Sequence, residues 1–406
     1  MQFPKQCVIL VGGKGSRLGD RVRTTPKPML PVKEEPFLGI LLREIGRHGF
    51  RKVLLLAGYQ AGVVKEEVAA LTQRTPFPIE IEIIEEPELM GTGGALKHAT
   101  AHLDPQFLLV NGDSLFDFNV LNLTTAPLGG NCLGWIALKR DARPDRFGTV
   151  KTDGDLVVAF HEKQEARSTE TLINTGVYWL DHAIIDYIDD GKVSLEKEVF
   201  PHLADRNLLR ARIFDGFFID IGTPDSYAQA QQLIPAQICR SAVFLDRDGV
   251  INKDSGYPHL REHIDWIDGA IDTIKAFNDA GWFVFVVTNQ SGVARGYYTE
   301  NDVKALHEWM SEHMARAAAH VDAFSYCPYH PEGTVAKYAR SSRRRKPNPG
   351  MILDLCNAWP VRKDKSILIG DKQTDIDAAT AAGIRSFMFD GGSLLDYVEN
   401  ISLPDR

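Results

Sequence analysis

The stretch that most constrains the fold lies just past the middle of the chain: Ala242-Val243-Phe244-Leu245-Asp246-Arg247-Asp248-Gly249-Val250. Four apolar residues run into two aspartates one residue apart, and a glycine follows at once. A continuous apolar run bounded by a turn residue reads as a buried strand of a parallel sheet. Side chains on a strand repeat every second residue, so Asp246 and Asp248 share the space beyond its carboxyl end. Open α/β sheets bind their ligands there. Two carboxylates so placed attract a hard divalent cation such as Mg²⁺, and one can attack phosphorus while its neighbour handles protons. A plainer reading has the pair merely capping a turn; partners further along the chain weigh against it.

At 406 residues the chain exceeds what one core usually supports, so two domains are expected. A formal net charge of -8 argues against a dedicated nucleic-acid binder. No apolar run approaches the ~20 residues that cross a bilayer. The early Val8-Ile9-Leu10-Val11 is too short for the core of a signal peptide. Five scattered cysteines (Cys7, Cys132, Cys239, Cys327, Cys356) favour reduced thiols in a cytoplasm over a disulfide framework.

The first half reads as strands at 8–11, 53–57, 79–84, 107–110 and 133–138, with helices at 37–48 and 61–71. A helical stretch ending at Pro235 and a fresh strand after Arg240 place the boundary between a domain at 1–235 and one at 236–406. The second half shows the same alternation, with strands at 242–245, 282–287 and 366–369 and helices near 269–280, 299–317 and 374–382. The expected class is α/β: two doubly wound Rossmann-like domains, each with a mostly parallel sheet covered by helices.

In the first half, the first strand empties into Gly12-Gly13-Lys14-Gly15-Ser16-Arg17-Leu18, where glycines let backbone N–H groups approach phosphate oxygens. The spacing fits neither a dinucleotide fingerprint nor a P-loop. Pro26-Lys27-Pro28 then holds a lysine between two stiffening prolines. Gly91-Thr92-Gly93-Gly94-Ala95, Asn111-Gly112-Asp113 and Asp220 in Phe218-Ile219-Asp220-Ile221-Gly222 follow in order. Over roughly residues 6–230 this series resembles the sugar-1-phosphate nucleotidyltransferases, the nucleotide-sugar pyrophosphorylases. Val11 departs from the family's usual alanine. The resemblance implies that Gly12, Gly13 and Gly15 cradle a nucleoside triphosphate, with Arg17 and Lys27 countering its charge. It places Gly91, Thr92 and Gly93 against base and ribose, Asn111 in the nucleotide site, and Mg²⁺ on Asp113 and Asp220. Glu162-Lys163 and Asn174-Thr175-Gly176 resemble sugar-binding segments, with Lys163 on the sugar phosphate. In-line attack by a sugar 1-phosphate needs positioning and charge neutralisation more than a protein nucleophile.

In the second half three more elements follow Asp246 and Asp248. They are Val287-Thr288-Asn289-Gln290-Ser291-Gly292, Arg345-Lys346-Pro347-Asn348-Pro349, and Ile369-Gly370-Asp371-Lys372-Gln373-Thr374-Asp375. Over about residues 241–395 they resemble the haloacid dehalogenase superfamily, and within it the heptose bisphosphate phosphatases and their histidinol phosphatase relatives. The resemblance implies Asp246 as nucleophile, Asp248 as acid and base, and Thr288 and Lys346 against the phosphoryl group. Mg²⁺ falls to Asp246, the main-chain carbonyl of Asp248, and Asp371, while Ser291, Arg295 and Arg345 hold substrate. Many relatives carry zinc in the long insert; here Cys327 is kept, but Tyr329, Ser342 and Arg344 stand at the other ligand positions. One thiolate cannot make a four-ligand site, so no zinc is expected.

A phosphatase that strips the far phosphate of a sugar bisphosphate leaves a sugar 1-phosphate, which the first half would consume. The expectation is a bifunctional, Mg-dependent enzyme converting D-glycero-D-manno-heptose 1,7-bisphosphate and a nucleoside triphosphate, by family analogy GTP, to GDP-heptose for surface polysaccharide. Its partners are small molecules, with no nucleic acid or membrane, and a homo-oligomer stays open. Activation of another sugar such as mannose 1-phosphate, or one half acting as a non-catalytic sensor or scaffold, are the alternatives.

Overall fold

The computed structural model describes residues 6–141, 147–161 and 171–403. Its chain contacts cluster into two units, Met1–Gln237 and Ile238–Arg406. Among the described residues no helix is long and apolar enough to cross a membrane.

The first unit opens with β1 (Gln6–Leu10), β2 (Lys52–Ala57), β3 (Glu80–Glu85) and β4 (Gln106–Asn111), all parallel. Cys7, Val8 and Ile9 on β1 are completely buried, as a strand covered on both faces requires. The helices α1 (Phe37–Arg47) and α2 (Ala61–Arg74) follow β1 and β2. Helix α1 buries Phe37, Leu38, Leu41, Leu42 and Ile45, an apolar stripe at helical spacing. A third helix, α3 (Gly91–His98), precedes β4.

Beyond β4 the topology changes. The chain adds β5 (Ser114–Asp117), β6 (Gly134–Asp141), β7 (Thr149–Asp153), β8 (Leu156–His161), β9 (Thr171–Asp181), β10 (Leu209–Ile213) and β11 (Phe217–Asp220). The nine-stranded sheet runs β3-β2-β1-β4-β9-β6-β10-β8-β7. Strand β9 is antiparallel to both β4 and β6, and β8 to both β10 and β7. Strands β5 and β11 form a separate antiparallel pair. The sheet is therefore mixed rather than mostly parallel. The two-residue link Gly154-Asp155 between β7 and β8, with Gly154 left-handed, closes a hairpin that needs no crossover helix. One core unites both halves of the sheet, with Val8, Leu54, Phe107 and Leu109 packed in a cluster with Ile136, Tyr178 and Phe200.

Helix α4 (Pro224–Ile238) runs through Pro235 instead of ending there. Proline forfeits one N–H bond, and in the last turn of a helix little ladder remains to be broken.

The five-stranded sheet of the second unit is wholly parallel. Its strands are β12 (Ala242–Leu245), β13 (Phe283–Asn289), β14 (Ala323–Cys327), β15 (Ile367–Gly370) and β16 (Arg385–Met388), in the order β14-β13-β12-β15-β16. Helices α5 (Ala270–Asp279), α6 (Glu300–Ala315), α7 (Gly350–Ala358) and α8 (Gln373–Ala382) connect them. Every residue of β12 is completely buried. Strand order reverses at β12, where connections leave in opposite directions and open a crevice at the carboxyl ends.

Candidate active sites

In the second unit Asp246 follows the last residue of the central strand, and Asp371 follows the last residue of its neighbour β15. One turn into α8, Asp375 completes a group: Asp246, Asp371 and Asp375 each offer a carboxylate oxygen within 4.8 Å of the others. Lys346 Nζ lies 2.9 Å from Asp246 Oδ1 and 2.6 Å from Asp375 Oδ1, and donates to the Val287 carbonyl at 2.8 Å. Burial raises the Asp246 carboxyl, Lys346 pulls it down, Asp375 and Asp248 push it up again, and the balance leaves it at about 6. Burial would strip the proton from Lys346, but Asp246 and Asp375 outweigh it and hold the ammonium. Asp371 is also raised, chiefly by burial, and its Oδ1 is a buried acceptor without a hydrogen-bond partner. Three converging carboxylates, one with an unsatisfied buried oxygen, fit a hard divalent cation. Gly249 is required beside them, because at its φ of +97° a Cβ would stand 2.2 Å from Asp371 Oδ2.

Asp248 is held differently. Arg247, wholly buried, donates from Nε and Nη2 to its two oxygens at 2.9 and 3.0 Å. Asn252 donates to Oδ1 and Gln290 to Oδ2, both at 3.0 Å. The Gln290 amide also donates to Thr288 Oγ1, and its oxygen accepts from the Tyr298 hydroxyl at 2.8 Å, which fixes the orientation of the amide. A cavity of about 460 Å³ joins Asp246, Asp248, Thr288, Ser291, Arg345 and Lys346. Arg295 does not line it; its Nη2 sits 4.0 Å from Glu332. Cys327 is buried with Sγ 4.0 Å from the Tyr329 carbonyl, and Arg344 bonds Ser325 Oγ and faces Asp354. Sequence reasoning passed over Asp375, Gln290 and Tyr298. The four-residue spacing from Asp371 to Asp375 was the available signal for the first; nothing local marks the other two.

In the first unit Lys27 plays a parallel part. It is buried, 2.5 Å from Asp113 Oδ2 and 3.5 Å from Asp220 Oδ2. Asp113 follows β4 by two residues and Asp220 ends β11, so the β5–β11 pairing brings them together. Burial raises the Asp113 carboxyl, but Lys27, helped by Ser114 and Arg17, holds it below the usual range. A cleft of about 180 Å³ is lined by Arg17, Asn111, Asp113, Asn174, Gly176 and Asp220. Asn111 Oδ1 is buried without a hydrogen-bond partner. Asn174 donates to the Tyr178 hydroxyl and accepts from the Gly176 N–H. Glu162 and Lys163 lie outside the described residues.

The glycine loops divide by cause. Gly91 and Gly93 pack against Val193: a Cβ on Gly91 would meet its carbonyl at 2.5 Å, and the Gly93 N–H donates to that oxygen. Thr92 Oγ1 bonds Glu196 and caps Leu195. At Gly12 the neighbour is Glu86, whose Oε1 would lie 2.2 Å from a Cβ there. A side chain on Gly13 would meet nothing, and Gly15 has a φ of +60° beside Lys27.

Each unit thus gathers a lysine among carboxylates at the ends of its strands, a grouping suited to phosphate chemistry. The chain matches the nucleotidyl transferase family over residues 6–237 and the HAD-hydrolase-like family over residues 343–396. It belongs to the nucleotidyl transferase family, and its second half to the haloacid dehalogenase-like heptose bisphosphate phosphatases. It is 47% identical over 162 residues to the D-glycero-beta-D-manno-heptose-1,7-bisphosphate 7-phosphatase of Rhodopseudomonas palustris, covering 40% of this chain and 90% of that one. It is 44% identical over 143 residues to the alpha-heptose counterpart of Burkholderia mallei, covering 35% of this chain and 76% of that one. HddC from Yersinia pseudotuberculosis, also solved with GMP-PN, superposes with a TM-score of 0.50 at 28% identity, over 58% of this chain and all of that one.

Proposed function

We propose that the chain carries out two successive steps, heptose 1,7-bisphosphate to heptose 1-phosphate and heptose 1-phosphate to GDP-heptose. The observation that carries the first step is the cluster of Lys346 with Asp246, Asp371 and Asp375 at the mouth of the central strand. Asp246 attacks the 7-phosphorus, the bond to the sugar oxygen breaks, and Asp248 protonates that oxygen. Water then attacks the aspartyl-phosphate, gives its proton to Asp248, and inorganic phosphate departs. Lys346 and Thr288 balance charge on the transferring group. Asp246, Asp371 and the backbone at Asp248 would hold magnesium, with Asp375 beside them; bound there, it adds further charge neutralisation.

In the first unit the sugar phosphate oxygen attacks the α-phosphorus and pyrophosphate leaves. Arg17 and Lys27 face the phosphates, Asn111 and Asn174 position the substrates, and Asp113 and Asp220 would hold magnesium. Gly12, Gly13 and Gly15 admit the triphosphate, and Gly91–Gly93 shape the nucleoside side. Glu162 and Lys163 are assigned to the sugar. Glu86 favours guanine. Its half-buried carboxylate sits beside Gly12, and burial raises its pKa. An anion there repels phosphate but accepts the adjacent N1–H and N2–H donors of guanine. The guanine nucleotide on HddC supports the same choice.

Incubation with D-glycero-D-manno-heptose 1,7-bisphosphate, GTP and Mg²⁺ should release phosphate and pyrophosphate and yield GDP-heptose. Absence of nucleotide-heptose with each of the four common triphosphates would overturn the proposal. Glu86→Gln should reduce kcat/KM for GTP about tenfold relative to UTP.

A further inference from the structure

Between the catalytic strand and α5 the chain passes Asp254-Ser255-Gly256-Tyr257 along the mouth of the phosphatase cavity. Tyr257 has a φ of +59° and follows Gly256 at +80°. Left-handed backbone is uncommon for any side-chain-bearing residue, and for a bulky ring it is strain that surrounding structure must hold in place. That structure is present on both sides. Lys372 Nζ grips Asp254 Oδ2 at 2.9 Å, and Asp254 Oδ1 accepts the Gly256 N–H. Beyond Tyr257, the His259 ring contacts the Tyr257 carbonyl through Nδ1 and stacks on Tyr298 with centroids 4.7 Å apart. The strain does not serve burial, because Tyr257 is 40% exposed. Tyr297 backs the ring edge-to-face at 5.0 Å and is itself 58% exposed.

A position that served folding alone would favour glycine or asparagine at this φ. The geometry points to Tyr257 as a platform that stacks the apolar C–H face of the sugar, selecting a pyranose carrying two phosphates over small phosphate esters. The inference rests on the phosphatase reading above. The cavity supplies charge at its floor through Lys346 and at its rim through Arg345 and Lys372. The ring adds an apolar surface to the same cavity, the usual division of labour in a ligand pocket.

The test compares D-glycero-D-manno-heptose 1,7-bisphosphate with acetyl phosphate, which has no sugar. In Tyr257→Gly, which relieves the backbone and removes the ring, the ratio of kcat/KM for the sugar bisphosphate to that for acetyl phosphate should fall about tenfold, mainly through KM. The unfolding temperature should not drop, and Tyr257→Phe should restore most of the ratio. A ratio within twofold of wild type in Tyr257→Gly would overturn the inference while leaving the phosphatase assignment standing. Wild-type protein hydrolysing neither compound would overturn both.

Discussion

Each unit clamps one lysine between two aspartates, and the two clamps differ in how far water reaches them. Lys27 and Asp113 have 7% and 34% of their side chains exposed, whereas Lys346 and Asp246 have 2% and 8%. In the first clamp the lysine dominates and Asp113 stays below the usual carboxylate range. In the second, burial and the neighbouring acids dominate, and Asp246 rises to about 6. Similar side chains thus hold one carboxyl below its usual range and raise the other above it.

The largest effect should come from removing the lysines. Lys346→Ala leaves Asp246 and Asp375 buried without their shared cation and should cost about 3–5 kcal/mol of stability, besides abolishing phosphate release. Lys27→Ala should cost clearly less, because Asp113 reaches water. Denaturant titration of the two variants measures the gap; equal losses would break the comparison.

Gly249→Ala is next. It forces a Cβ into Asp371 at a left-handed φ and should cost about 1–3 kcal/mol together with most phosphatase activity, leaving pyrophosphate release intact. Parallel assays of the two activities check this.

The smallest effect concerns pH. A carboxyl whose folded pKa is raised lowers stability fully above that pKa, and the penalty shrinks as pH falls from there toward the lower pKa of the unfolded chain. In metal-free protein, Asp246→Asn should therefore raise the unfolding temperature relative to wild type at pH 8 and do so less at pH 5. The reverse order would show that Lys346, not burial, governs Asp246.

Much of the second unit's candidate site was legible because strand-end acids are bounded by apolar runs and turns that local sequence encodes. Asp246, Asp371 and Thr288 fall into one site for that reason, and Lys346 joins them from the loop before α7. The antiparallel half of the first sheet was less legible, since a strand such as β7 carries Lys151 and Asp153 and reads weakly as an apolar run, and the apolar stretch Leu156–Phe160 of β8 was passed over. The pairing that brings Asp220 to Asp113 joins residues a hundred or more positions apart, which no local pattern records. Gly91 and Gly93 looked like ligand glycines, yet Val193 supplies a packing reason for both. Tyr257 gave no signal, because the groups that hold its turn, Lys372 on Asp254 and Tyr298 on His259, come from distant parts of the chain.

The most direct test is a pair of substitutions assayed for both reactions: phosphate release from heptose 1,7-bisphosphate, and pyrophosphate release from GTP with heptose 1-phosphate. Two separate clamps predict that Asp246→Asn abolishes only the first and Asp113→Asn only the second. Loss of both activities from either change, or retention of the matched activity, would contradict the division of labour.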